Sequence, residues 1–160
     1  MKWGCIPTNR AVSASPPKIR RKEIKPPSVA VTRQLLDAAD DHDPEFGALL
    51  RVLAATGARR GEVCGLRWSD LDTGSSTLSI NRSVASVAGR TVVKDTKTHA
   101  ARRIALDADT IEILERQRTR LQHRAEVCEL GFNEDGYVFT KTADGADPLH
   151  PDTITGAFSR

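Results

Sequence analysis

The chain has 160 residues, 39% of them hydrophobic and 28% charged, which is ordinary for one soluble domain with or without an appended arm. No apolar run approaches the ~20 residues that span a bilayer, and the N-terminus lacks the apolar segment of a signal peptide, so we expect a cytoplasmic protein with no membrane partner. Three scattered cysteines argue against a disulfide framework or a zinc site, and a net charge of +3 does not by itself predict a nucleic-acid partner.

Basic residues are concentrated at the start of the chain, where Glu23 is the only acid before Asp37. Interleaved prolines keep this segment extended. One interpretation is a solvated linker, and the other is an arm along a phosphate backbone, where each neutralised phosphate releases counterions. The same segment can be both. Its candidate DNA-binding residues are Arg20, Arg21, Lys22 and Lys25.

Three helices are predicted next in the chain. Ser28 or Thr32 can cap the first. Asp43 caps the second, which carries apolar residues at helical spacing and ends at Gly57. A third helix is predicted to begin near Arg59.

The pattern then changes to short extended segments. TLSINRSV, TVVK and RRIAL predict three strands of one small antiparallel sheet. A long helix follows, capped near Asp107 or Asp109, with Glu112 placed to pair with Arg116. GYVFT predicts a short extended piece, and LHPDTITGAFSR predicts a last helix. The fold class is therefore α+β, mainly helical with a small three-stranded antiparallel sheet.

The stretch ATGARRGEVCGLRWSDLD places Arg59 and Arg60 where a helix begins. A positive charge there is unfavourable with respect to the helix dipole and costs about a few tenths of a kcal/mol in stability, so a compensating anion is favoured. Glu62 could supply it within a surface ion-pair cluster. A phosphate would match a guanidinium in a bidentate way. Both interpretations fit this stretch taken alone.

The same stretch resembles the first arginine box of the tyrosine recombinases, the phage integrase family, with Thr-Gly-x-Arg-x-x-Glu followed by Leu-x-Trp-x-Asp. KTHAARRIAL is similar to the family's lysine hairpin, a Lys-Thr followed by Arg-x-Ile-x-Leu. GYVFT and LHPDTITGAFSR resemble the piece that leads into the second box. The resemblance implies that residues 1–27 hold the end of a core-binding domain and a basic Pro-rich linker, and residues 28–160 a truncated catalytic domain.

The resemblance also implies roles for particular residues. Arg59 corresponds to the catalytic arginine that holds the scissile phosphate, and Glu62 to the acid that supports the site. Lys97 corresponds to the hairpin lysine that protonates the leaving 5′ oxygen, and Lys94 is the competing candidate. Arg60 has no catalytic counterpart and is expected, like Lys94, to contact DNA or lie at the surface. Such cations suit a reaction that builds charge on phosphate oxygens.

Three neighbouring residues are expected to be structural. Trp68 and Asp70 should fix the turn after the third helix, with Trp68 in the core, and Arg103 should brace the sheet.

In the family, a His-x-x-Arg box and a tyrosine nucleophile complete the site, and we expect this chain to lack both. Its only tyrosine, Tyr137, lies in GYVFT and is expected to pack within the fold. Without a nucleophile no phosphotyrosyl intermediate forms, so the chain should be inactive alone. Absent helices should also leave apolar surface around Leu50 and Leu53 or beneath the sheet.

The implied function is site-specific DNA recombination or integration by strand breakage and rejoining, of which this chain is a fragment. The family uses no metal and no other cofactor, and acts on double-stranded DNA as four protomers on two duplexes. The composition suggests a bacterial prophage or mobile element, and hence a nucleoid-associated protein. The alternatives are a non-catalytic DNA-binding remnant that occupies a recombination site, and a product without function.

Overall fold

A computed structural model describes residues 25–87, 89–95 and 101–158, and its helices and small antiparallel sheets confirm the α+β class. The helices are α1 (Val29–His42), α2 (Pro44–Thr56), α3 (Arg60–Cys64), α4 (Ala108–Val127) and α5 (Pro151–Phe158). The strands are β1 (Leu71–Asp72), β2 (Thr77–Ile80), β3 (Arg82–Val87), β4 (Arg90–Asp95) and β5 (Arg102–Ala105). The predicted site residues Arg20, Arg21, Lys22 and Lys97 lie outside the described residues, and the division at residue 27 stays a prediction.

The first two helices begin and end at the residues that local chemistry favours. The Ser28 hydroxyl accepts a hydrogen bond from the backbone N–H of Val31 at 3.3 Å, so Ser28 and not Thr32 caps α1. The Asp43 carboxylate accepts from the N–H groups of Glu45 and Phe46 at 3.0 and 3.2 Å and caps α2. Gly57 ends α2 in the left-handed region at φ 59°.

The hydrophobic core lies between α2, α3, the three-stranded sheet and α4. Leu50 is only 7% exposed, and Leu53 packs against the core, so the expectation of exposed apolar surface around these two residues was wrong. Exposed apolar side chains occur on α1, where Val29 and Leu35 are 71% and 42% exposed, and also on β3, where Val87 is 48% exposed.

The strands form two sheets and not the single sheet that the sequence pattern predicts. The three-stranded antiparallel sheet has the order β1-β2-β5, and β3 and β4 form a separate hairpin. TLSINRSV therefore divides at Asn81, whose side-chain amide donates to the buried carboxylate of Asp70 at 2.8 Å. The next residue, Arg82, also donates to that carboxylate, at 2.6 Å. Because Asp70 binds the junction between the two strands, β3 leaves the first sheet and pairs with β4.

The hairpin packs directly against α3. A Cβ atom at Gly61 would lie 2.4 Å from the carbonyl oxygen of Val84, and one at Gly65 would lie 3.1 Å from the side chain of Arg82. The helix ends at Cys64, and Leu66 beyond it is still buried. The two glycines thus allow the helix and hairpin backbones to approach closely, which places the hairpin beside the arginines at the start of α3.

The C-terminal part follows the sequence prediction closely. The Asp107 carboxylate accepts from the N–H of Thr110 at 2.8 Å and caps α4, and Glu112 pairs with Arg116 at 3.4 Å. Tyr137 is buried under the guanidinium of Arg67, which lies 4.7 Å from its ring centre. Within the described residues, no helix is both long enough and apolar enough to cross a membrane.

Candidate functional site

A buried carboxylate lies between two arginines at the start of α3. Glu62 is 2% exposed, and its carboxylate accepts hydrogen bonds from the side chains of Arg59 and Arg102. Its Oε2 also accepts the backbone N–H of Arg59 at 2.8 Å, which caps the first turn of α3 from within. The site therefore joins residues that are three and forty positions apart in sequence.

The surroundings of Glu62 keep it ionised. Burial alone would raise the pKa of Glu62, but hydrogen bonds from the Arg102 side chain and from the Arg59 backbone and side chain outweigh burial and lower that pKa to about 2. The same contact raises the pKa of Arg102. All three groups are therefore charged at neutral pH, and the cluster carries one net positive charge.

The Arg59 guanidinium is the solvent-facing part of this cluster. Its side chain is 82% exposed, whereas that of Glu62 is 3% exposed. Arg59 touches the carboxylate through Nη1 alone, at 3.0 Å, and towards the described residues its side chain makes no other hydrogen bond. The remaining donors of its planar fork thus face solvent, where an anion such as phosphate could accept them.

Arg102, the arginine of the Arg-x-Ile-x-Leu pattern, is the site residue to which the sequence analysis gave no role, because Arg103 was expected to brace this part of the fold. On β5, Arg102 and Ile104 are half-buried, while Arg103 and Ala105 between and after them are exposed. Period-two alternation in RRIAL is the signal that could have identified Arg102. His99 and Arg102 also have the His-x-x-Arg spacing, so the expectation that this spacing is missing was wrong. The pattern occurs in the hairpin segment, however, and not after GYVFT.

The structure describes three further predicted DNA-binding residues. Arg60 hydrogen-bonds the Thr155 hydroxyl and lies 3.5 Å from a carboxylate oxygen of Asp152, so its side chain turns towards α5. Lys94 is exposed on β4, opposite Ser83, on the hairpin that packs against α3. Lys25 is exposed ahead of α1.

The residues after α3 are structural, as expected for Trp68 and Asp70. Trp68 is 4% exposed within the core. Asp70 accepts the backbone N–H of Arg67 at 2.9 Å, in addition to its contacts with the β2–β3 junction. The turn after α3 and the start of the hairpin are therefore held by one carboxylate.

The described part of the site contains neither a cluster of metal ligands nor a reactive thiol. No group of three or more His, Cys, Asp or Glu side chains among the described residues is arranged to hold a metal. Burial raises the pKa of the neighbouring Cys64 to about 12, which keeps that thiol protonated at neutral pH. The group that the cluster presents to solvent is the Arg59 guanidinium.

Comparison with known sequences finds integrases and recombinases. The sequence model of the phage integrase family matches residues 29–160. The ICEBs1 integrase of Bacillus subtilis (strain 168) is 26% identical over 95 residues, 59% of this chain and 26% of that protein. The tyrosine recombinase XerC-like protein of Caldanaerobacter subterraneus is 26% identical over 149 residues, 85% of this chain and 38% of that protein. The chain thus spans well under half the length of these relatives.

Solved structures show the same fold. The Tn1549 transposon integrase in complex with transposon right end DNA superposes with a TM-score of 0.73 at 18% identity, over 89% of this chain and 45% of that one. The XerA recombinase superposes with a TM-score of 0.57 at 22% identity, over 88% of this chain and 41% of that one.

Proposed function

The chain belongs to the phage integrase family, and from that premise we propose that residues 29–160 are the part of a tyrosine recombinase catalytic domain that holds the scissile DNA phosphate. The observation that carries the proposal is the cluster at the start of α3. There a buried, ionised Glu62 fixes the backbone and the guanidinium of Arg59, and the free donors of Arg59 face solvent.

This arrangement suits phosphoryl transfer. Attack on a phosphodiester increases negative charge on the non-bridging oxygens, and a positioned guanidinium stabilises that charge. Glu62 holds Arg59 at its backbone N–H and at Nη1 and leaves the other guanidinium donors free, so Arg59 can bind a phosphate without a large rearrangement of the fold. In this proposal Arg59 binds the phosphate, and Glu62 is a positioning residue.

The other steps of strand transfer are assigned to residues by resemblance. Lys97 would protonate the leaving 5′ oxygen, and Lys94, on the same hairpin, would contact the backbone or take that role. Arg60, Arg20, Arg21, Lys22 and Lys25 would contact flanking phosphates. Tyr137 is buried beneath Arg67, which supports its assignment as a packed residue and not as a nucleophile.

The proposed partner is double-stranded DNA. Two solved integrase complexes with the same fold contain transposon DNA, either a right end or a circular intermediate. In the complete recombinase we propose four protomers on two duplexes, acting at the chromosome of a bacterial host.

The test is the salt dependence of DNA binding, measured by fluorescence anisotropy with a labelled duplex. The slope of log affinity against log salt is negative, and slopes are compared by their magnitude. If Arg59 contacts a phosphate, Arg59→Ala should lower that magnitude by about 0.9, the value for one phosphate contact. Arg59→Lys should keep the slope and lose affinity, because a lysine keeps the charge but not the fork.

Arg116→Ala is the matched control, since it removes an exposed, ion-paired arginine from α4. A slope that Arg59→Ala and Arg116→Ala leave equally unchanged would contradict the proposal. In the same samples, incubation with a nicked duplex should give no covalent protein–DNA product from this chain alone.

A further inference from the structure

We propose that Arg102 is a positioning residue of the phosphate site: it binds the Glu62 carboxylate with both arms of its guanidinium and thereby leaves the charge of Arg59 available to DNA. This inference rests on the proposed function. It adds a residue to the site and gives that residue a role distinct from direct contact with phosphate.

The side-chain hydrogen bonds at Glu62 divide unequally, two from Arg102 and one from Arg59. Arg102 Nη1 donates to Oε1 at 3.2 Å, and its Nη2 donates to Oε2 at 2.7 Å. Arg59 uses only Nη1, to Oε1 at 3.0 Å, and its backbone N–H reaches Oε2 at 2.8 Å. Each carboxylate oxygen thus accepts two hydrogen bonds, which fills the roughly four sites that a carboxylate offers.

The two arginines also differ in how they are held. Arg102 lies on β5 directly opposite the buried Ile80 of β2, and its side chain is 40% exposed. Arg59 lies at the open start of α3, with a side chain that is 82% exposed. The strand therefore supplies a fixed cation to the carboxylate, and the solvent-facing cation at the helix start is the one that remains available.

Without Arg102, Glu62 would have Arg59 as its one cation among the described residues. A buried carboxylate with a single cation favours the bidentate arrangement, so the whole Arg59 fork would turn onto Glu62. The cluster would then be neutral, and its guanidinium would no longer face solvent. Loss of Arg102 should consequently remove the phosphate contact of Arg59.

This can be tested with a double-mutant cycle of Arg59→Ala and Arg102→Gln, read out as the slope of log affinity for duplex DNA against log salt. Each single change should lower the slope by about 0.9, and the double variant should lower it by no more than that, because all three lose the same phosphate contact. A double loss of about 1.8 would mean that Arg102 binds a phosphate of its own, which overturns the inference. The inference would also be overturned if Arg59→Ala lowered the slope and Arg102→Gln left it unchanged.

If Arg59→Ala itself leaves the slope unchanged, the proposed function fails, and this outcome is distinct from the two above. Arg103→Gln is the matched control, since it removes an exposed arginine from the same strand and should keep the Arg59-dependent part of the slope.

A rescue variant separates positioning from a general loss of structure. In Glu62→Gln/Arg102→Gln the carboxylate is gone, so Arg59 should be released and the slope should recover towards that of the unchanged chain. A merely structural role for Arg102 predicts no recovery, and that result would overturn the inference. Arg102→Lys keeps a cation beside Glu62 and should retain most of the slope. It replaces Arg102→Gln in the test if thermal unfolding shows that Arg102→Gln does not fold.

Discussion

At the scale of single residues, Glu62 combines burial with a full negative charge. Such a group would normally be neutralised by a shift of its pKa, because removing a carboxylate from water is costly. Here four hydrogen bonds from two arginines keep it ionised. The same bonds join α3 to β5, so one side chain serves both the fold and the proposed phosphate site.

The lowered pKa of Glu62 makes a definite prediction about acid stability. The folded-state pKa is about 2, below the ordinary value of 4.5, so the stabilisation is complete above pH 4.5 and is lost as pH falls towards 2. A shift of this size corresponds to about 3 kcal/mol. Urea unfolding of the unchanged chain and of Glu62→Gln, at steps from neutral to acid pH, should show a stability difference that shrinks through this window.

Glu115→Gln, which removes an exposed carboxylate of α4, is the control. A difference between the unchanged chain and Glu62→Gln that stays constant down to pH 2 would show that Glu62 is not held ionised by its partners.

The sequence identifies two of the three residues of this cluster, and the reason is their distance along the chain. Arg59 and Glu62 lie within one helical turn, so their spacing alone brings them together, and the structure shows that contact. Arg102 is forty residues away and reaches Glu62 only because β5 pairs with β2. Strand register is not encoded in local spacing, so the contact between Arg102 and Glu62 does not follow from the sequence pattern.

At the scale of elements, the close contact between α3 and the β3–β4 hairpin determines where the cluster lies. Helices were predicted well because their caps and apolar spacing are local. The assignment of strands to sheets was wrong because the buried Asp70 redirects the chain at Asn81, and a buried hub of this kind leaves no periodic signal.

Gly61 is predicted to be essential to this contact. A methyl group there would lie 2.4 Å from the carbonyl oxygen of Val84 and 2.8 Å from the Ser83 hydroxyl, so Gly61→Ala should push α3 away from β3. We expect a loss of about 1–3 kcal/mol in the free energy of unfolding, as for other overpacked positions. Chemical denaturation measures this directly.

Gly156→Ala is the matched control, because Gly156 lies in α5 with open space where its Cβ would be. Alanine there should be neutral or should stabilise by up to about 1 kcal/mol, since it favours the helix. If the two alanine variants proved equally stable, the close approach at Gly61 would not be a constraint in solution.

At the scale of the whole molecule, stability should be unevenly distributed. The helix α1 has no fully buried residue and packs on the rest of the described chain through half-buried side chains such as Leu36 and Ala39. By contrast, α2 contributes Leu49 and Val52, which are 1% and 0% exposed, to the core. Because the free energy of local opening is smaller for segments with fewer buried contacts, α1 should open while α2 and the proposed phosphate site remain folded.

Hydrogen exchange followed by mass spectrometry or NMR should therefore show faster exchange of backbone amides in α1 than in α2. A substitution of Arg51 should change the difference between the two helices. Arg51 bonds Asp40 at 2.7 Å and Asp37 at 2.7 Å, joining α2 to α1. Arg51→Met should lower the opening free energy of α1 by about 1 kcal/mol, because the pairs are partly exposed, and leave α2 amides unchanged. Arg116→Met removes only an exposed pair within α4 and should change neither helix. If Arg51→Met accelerated hydrogen exchange equally in α1 and α2, the two helices would open as one cooperative unit, which would contradict the uneven distribution of stability.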